Sequence, residues 1–105
     1  MRSVGEFIPA MNSSDLAEGA MAAFDVGGVH VLLARIGGEV SALSGTCTHE
    51  DADLGLGFVI EDRVVCPLHL SQFDLRTGKV LGPPASESLR VFNVKIEGGM
   101  IFVEV

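Results

Sequence analysis

Cysteine and histidine, two residue types well suited to hold a metal, crowd into one short part of this chain. Cys47-Thr48-His49 is followed by sixteen residues and then by Cys66-Pro67-Leu68-His69. The chain has 2 cysteines and 3 histidines, so both cysteines and two of the histidines fall here. Each clip offers a thiolate and an imidazole. The loop between the clips lets them converge on one coordination sphere.

Two cofactors suit such a donor set. A structural zinc ion accepts mixed sulfur and nitrogen ligands tetrahedrally. A Rieske 2Fe–2S cluster has two histidines in place of two cysteines on one of its irons. The common zinc finger pairs Cys with Cys and His with His. Here each clip runs Cys-then-His, which suits a two-metal cluster, since each clip can give its sulfur to one iron and its nitrogen to the other. A disulfide is the weaker reading of the cysteine pair. It would leave His49 and His69 unexplained, and the chain looks cytoplasmic, where disulfides are rare.

These clips resemble the two ligand loops of Rieske proteins. The run Phe73-Asp74-Leu75-Arg76-Thr77-Gly78 and then Gly82-Pro83-Pro84-Ala85 resembles the rest of a cluster-binding region. The chain is most similar to the small Rieske ferredoxins of bacterial aromatic ring-hydroxylating dioxygenase systems, the biphenyl and naphthalene type. The likeness covers essentially the whole chain. It implies one Rieske-type 2Fe–2S cluster per chain, with Cys47 and Cys66 on one iron and His49 and His69 on the other. It also implies that the histidines lie nearest the surface.

Formal charge explains the use of such a cluster. With two thiolates and two neutral imidazoles the oxidised core is neutral, and reduction makes it a monoanion. An all-cysteine cluster goes from dianion to trianion. Adding an electron to a neutral core in a poorly solvated site costs less, and the class spans about −150 to +300 mV. High-potential relatives carry an extra cysteine in each ligand loop; Ala52 and Leu68 hold those positions here, which points to the low end. Each ligand imidazole keeps one N–H, so the potential is expected to fall with pH on the alkaline side. Ser71 could donate to a sulfur, but an ordinary turn serine is the favoured reading. Pro83-Pro84 resembles the proline loop over the cluster, and could equally be a stiff exit from this segment. Glu50, Asp51 and Asp53 form either an acidic rim that partners read or a solvated loop. His30, far in sequence from either cysteine, reads as a plain strand residue.

The elements that must position these residues are short strands. Residues 4–11 alternate loosely and contain Pro9, as an edge strand would. Residues 12–15 carry a turn or cap signal, and 15–18 a short helical turn. Strands follow at 20–26, 29–36 and 39–43, joined by Gly27-Gly28 and Gly37-Gly38, which turn tightly because glycine accepts positive φ. Within 45–84, short hairpins are expected at 57–60 with 63–66, and at 73–75 with 79–81. Residues 90–96 alternate, with Phe92, Val94 and Ile96 on one face. Gly98-Gly99 then turns into 100–105, with Ile101, Val103 and Val105 on one face. The class is all-β: an antiparallel β-sandwich or small-barrel base at 1–44 and 85–105, and a smaller, loop-rich cluster-binding lobe at 45–84, in a single Rieske-like domain spanning 1–105.

Composition narrows the function. At 105 residues and 48% hydrophobic, the chain can bury a core and is not a disordered tail. Apolar runs such as 31–34 are far too short to span a bilayer. Arg2 is followed by Glu6 and Pro9 with no apolar stretch of a secretory signal, so a cytoplasmic protein with no membrane partner is expected. A net charge of −7 argues against nucleic acid and suits either docking on basic protein surfaces or solubility alone. No nucleophile–base pair or nucleotide loop is visible, and four protein ligands leave no open iron position. The expected role is therefore a one-electron carrier rather than an enzyme. The resemblance supplies the partners: a flavin-dependent NAD(P)H ferredoxin reductase and a terminal Rieske non-haem iron oxygenase, met by a monomer. Two rivals stand beside it, a zinc-stabilised interaction domain and the small Rieske-like subunit of an assimilatory nitrite reductase.

Overall fold

The computed structural model describes residues 5–48, 51–68, 70–83 and 85–105. Strands β1 (Phe7–Asn12), β2 (Met21–Val26), β3 (Val29–Ile36) and β4 (Glu39–Ser44) precede the first cysteine. Between the cysteine clips run β5 (Phe58–Ile60) and β6 (Arg63–Val65). After them come β7 (Gln72–Asp74), β8 (Val80–Gly82), β9 (Val91–Phe92), β10 (Val94–Glu97) and β11 (Met100–Glu104). All ladders between these strands are antiparallel, and they form three sheets, ordered β1-β11-β10, β2-β3-β4-β9 and β5-β6-β7-β8. The all-β expectation holds. No helix among the described residues is long and apolar enough to cross a membrane.

The middle sheet is buried on both faces, and β3 shows why its sequence is a continuous apolar run rather than an alternation. Val31 and Leu33 face one way, into a core with Ala42, Phe92, Ile101 and Val103. Leu32, Ala34 and Ile36 face the other way, into a second core that includes Leu43, Leu54, Val64, Phe73 and Leu75. Period-two geometry divides one strand between two cores. Each fully buried leucine stabilises its core by about 1.5–3 kcal/mol. Both cysteines belong to the second core. The cluster segment is thus packed against the same β3 that holds the rest of the fold.

The turns follow the glycines. The pairs Gly27-Gly28, Gly37-Gly38 and Gly98-Gly99 all have positive φ at both positions, the geometry of a two-residue hairpin turn. Pro9 sits on the edge strand β1, at an irregularity in its pairing with β11. Some boundaries differ from the sequence expectation. The helical turn is a 3-10 turn at Ser13–Asp15 rather than 15–18, closed by the Leu16 N–H on the Ser13 carbonyl. The strand expected over 90–96 is broken at Asn93. Its first part, β9, joins β4 in the middle sheet, and its second part, β10, joins β11. Asn93 enforces the crossover: its carbonyl accepts from the Glu104 N–H at 2.9 Å, and its side chain donates to the Glu104 carboxylate at 2.8 Å. Phe92 is buried as expected, whereas Ile96, on the far side of the break, is half exposed.

Candidate metal centre

The two cysteines sit at the starts of two loops with the same backbone plan. The Cys47 N–H donates to the Ala52 carbonyl at 2.8 Å, and the Asp51 N–H donates back to the Cys47 carbonyl at 3.1 Å. In the second loop the Cys66 N–H donates to the Ser71 carbonyl at 2.8 Å, and the Leu70 N–H donates back to Cys66 at 3.2 Å. In each loop the fourth residue after the cysteine takes a left-handed conformation, with φ 55° at Asp51 and 62° at Leu70. Aspartate tolerates that region. Leucine does not, at a cost of roughly 1–2 kcal/mol. A disfavoured backbone retained at a loop tip is a mark of a functional constraint.

Both thiols are buried, with Cys47 at 0% and Cys66 at 1% exposure. They are not joined as a disulfide. His49 and His69 lie outside the described residues, as do Glu50 and Pro84. The cysteine half of the expected donor set is therefore in one buried place. The loops carry the histidines at different offsets, two residues after Cys47 and three after Cys66.

Three supports tie this region down. Ser71 is the one fully buried polar side chain among the described residues, and its Oγ accepts from the Ala85 N–H at 3.0 Å. It is thus no ordinary turn serine: it fastens the loop that follows Cys66 to the chain leaving the Pro83 turn. The Thr48 hydroxyl donates to the Glu87 carbonyl at 2.7 Å and does the same for the first loop. The third support is His30. Its Nδ1 lies 2.9 Å from an Asp25 oxygen and its Nε2 lies 2.9 Å from an Asp53 oxygen. Hydrogen bonds donated to Asp53 first, then to Asp25, raise the His30 pKa against the opposing effect of burial. In return the bond from His30 lowers the Asp53 pKa. Asp53 therefore bonds to His30, which neither the acidic-rim nor the solvated-loop reading foresaw, while Asp51 is exposed. His30 is more than a plain strand residue. Half of its arrangement was legible: a two-residue turn at 27–28 sets Asp25 opposite His30.

The comparisons with known proteins bear on which metal this is. Residues 6–93 match the family model of the Rieske [2Fe-2S] domain. The chain belongs to this Rieske [2Fe-2S] family. The chain is 42% identical over 94 residues to the biphenyl 2,3-dioxygenase ferredoxin component of Rhodococcus jostii (strain RHA1), covering 90% of this chain and 88% of that one. It is 38% identical over 93 residues to the 3-phenylpropionate/cinnamic acid dioxygenase ferredoxin subunit of Escherichia coli (strain K12), covering 88% and 87%. Among solved structures, the ferredoxin of carbazole 1,9a-dioxygenase from Nocardioides aromaticivorans IC177 matches with a TM-score of 0.84 at 34% identity, over 92% of this chain and 97% of that one. A further match, with a TM-score of 0.86 at 29% identity, comes from the complex of reduced oxygenase and oxidized ferredoxin in carbazole 1,9a-dioxygenase.

The Rieske cofactor is a 2Fe–2S cluster, and the described donors fit it. Two thiols buried in an apolar core suit a near-neutral inorganic core, which a low-dielectric site tolerates far better than a multiply charged one. Zinc, the rival at the level of residues alone, also accepts two thiolates and two imidazoles; the family match over residues 6–93 decides for the cluster.

Proposed function

We propose that this protein is the ferredoxin of an aromatic ring-hydroxylating dioxygenase system. It takes single electrons from a flavin-dependent NAD(P)H reductase and delivers them to a terminal Rieske non-haem iron oxygenase. It is a carrier without a catalytic site of its own. The reading is carried by one observation: two buried thiols at the heads of matching loops, in a chain like the ferredoxin components of biphenyl and phenylpropionate dioxygenases over most of its length.

The bound cluster supplies one reversible electron. Cys47 and Cys66 would hold one iron, and His49 and His69 the other. The protein's own residues do the rest. Leu32, Leu43, Phe73 and Leu75 exclude water behind the thiols, which keeps reorganisation around the site small. The paired backbone bonds at Cys47 and Cys66 fix where each sulfur stands. Leu68 and Leu70 flank position 69 and are 56% and 58% exposed, so the second loop offers an apolar rim to a partner. Residues 45–84 form the cluster-binding lobe on a base made of 1–44 and 85–105. The protein works in the cytoplasm as a monomer, and the −7 net charge steers it to basic surfaces of its partners.

The test is reconstitution. The protein alone does not oxidise NADH. With a cognate reductase it is reduced, and with the oxygenase and substrate added it turns over repeatedly. Failure to accept electrons from any flavin reductase of such a system, with the cluster intact, would remove this reading.

A further inference from the structure

His30 stands on β3 with carboxylates on both sides of its ring. Nδ1 faces Asp25 Oδ1 and Nε2 faces Asp53 Oδ1, each at 2.9 Å. A neutral imidazole has one N–H and one lone pair. It can serve one of these carboxylates only, and it turns a lone pair toward the other. The imidazolium alone donates to both. Charge-assisted bonds of this kind are about twice as strong as neutral ones.

The two carboxylates belong to different parts of the molecule. Asp25 is the residue directly opposite His30 on β2. Asp53 lies at the far end of the loop that carries Cys47, where its Oδ1 also accepts from the Gly55 N–H at 2.9 Å and its backbone bridges to Thr46. The near end of the loop is at His30 too. The Gly45 N–H donates to the His30 carbonyl at 3.0 Å, and the Leu54 N–H donates to the Gly45 carbonyl at 2.8 Å. Gly45 lies so close to the ring that a Cβ there would stand 2.5 Å from His30 Cδ2. Both ends of the first ligand loop are therefore gathered at one ring.

We propose that His30, held as an imidazolium between Asp25 and Asp53, is the positioning residue that fastens the loop carrying Cys47 to the β2–β3 sheet, and that its deprotonation loosens that loop. The proposal rests on the assignment of Cys47 as a cluster ligand. Among the described residues, the charged groups facing the ring are Asp25 from β2 and Asp53 from the loop before the 3-10 turn at Leu54–Leu56; from the β4 side comes Gly45, which has no charge. The His30 side chain is 29% exposed, so protons reach it from solvent. Because the bonds to Asp53 and then Asp25 raise its pKa when folded, the fastening is complete below the ordinary histidine value of about 6.5. It is lost as pH rises through the raised folded value.

The experiment follows loss of the visible absorbance of the oxidised holoprotein in excess chelator, from about pH 6 to about pH 8.5. That range stays below the alkaline region where ligand imidazoles lose their protons. We expect the wild-type loss rate to rise about fivefold across the range, as suits a partly exposed ion pair. Asp25 is 73% exposed at its side chain, so Asp25→Asn leaves the fold intact; its midpoint should move to lower pH. His30→Gln should lose the cluster at the fast rate throughout, with no midpoint. A flat wild-type profile, or a midpoint unmoved in Asp25→Asn, overturns the proposal. A Cys47→Ser protein that assembles a normal cluster overturns the ligand assignment instead.

Discussion

At the scale of single residues, the site depends on groups whose sequence context looks ordinary. Ser71 is the sharpest case. Its hydroxyl accepts the Ala85 N–H in a place closed to water, so Ser71→Ala leaves a buried donor without its partner. We expect a stability loss of about 1–3 kcal/mol by denaturant unfolding; a loss within 0.5 kcal/mol, roughly the range of neutral surface changes, would mean that water replaces the hydroxyl. The metal clips were legible because Cys/His pairs at close spacing are rare outside such sites. Ser71 and Thr48 were not, since a turn serine or threonine looks the same whether its hydroxyl meets solvent or a distant carbonyl. Leu70 was least legible of all: nothing in a leucine foretells a left-handed backbone, and only the closing bonds of the loop impose it. Asp74 shows the same local dependence. Burial works against its charge, but the N–H groups of Thr77 and Arg76 outweigh that and hold its pKa low. The turn after β7 should therefore keep its hydrogen bonds until the pH falls through that depressed value.

At the scale of elements, β3 is the partition wall of the protein. Leu33 faces the core between the first and middle sheets, and Leu32 faces the core that contains Cys47 and Cys66. Either leucine cut to alanine should cost about 2–5 kcal/mol in global unfolding. Only Leu32→Ala should also hasten loss of the cluster in chelator under native conditions, because only its cavity opens beside the thiols. Equal cluster-loss rates for the two variants would contradict the division. The diglycine hairpins were readable from the sequence, since two adjacent glycines supply both positive φ angles without strain. The break at Asn93 was not. The alternation of 90–96 looks like one strand, and what divides it is the tertiary pairing of Asn93 with Glu104. The first hairpin of the third sheet stands where it was expected, one residue shorter in each strand, whereas the second is shifted by a residue, to Gln72–Asp74 with Val80–Gly82, for a like reason. Turn contacts set their register, such as the Gly78 N–H on the Asp74 carbonyl and the Leu89 N–H on Gly78, and strand propensity does not.

At the scale of the whole molecule, charge and exposed apolar surface decide how a carrier meets its partners. The chain has 14 acidic and 7 basic residues, and several of its large exposed apolar side chains, Leu68 and Leu70 among them, lie in the segment with the ligand loops. Long-range attraction should speed encounter and a small apolar contact should then permit quick release. The rate of reduction by the reductase should fall as salt rises from low to moderate strength; a rate unmoved by salt would assign the charge to solubility alone. Leu68→Asp should slow electron delivery while leaving cluster content intact. The central claim is that one cluster held by Cys47, His49, Cys66 and His69 carries one electron. An anaerobic reductive titration of the natively purified protein tests it most directly, with iron and acid-labile sulfide measured on the same sample. The account predicts a red-brown protein with two irons and two sulfides per chain that loses part of its visible absorbance as it takes up one electron and changes no further beyond that point. A colourless protein with stoichiometric zinc and no sulfide, or an endpoint at two electrons per chain, would contradict it.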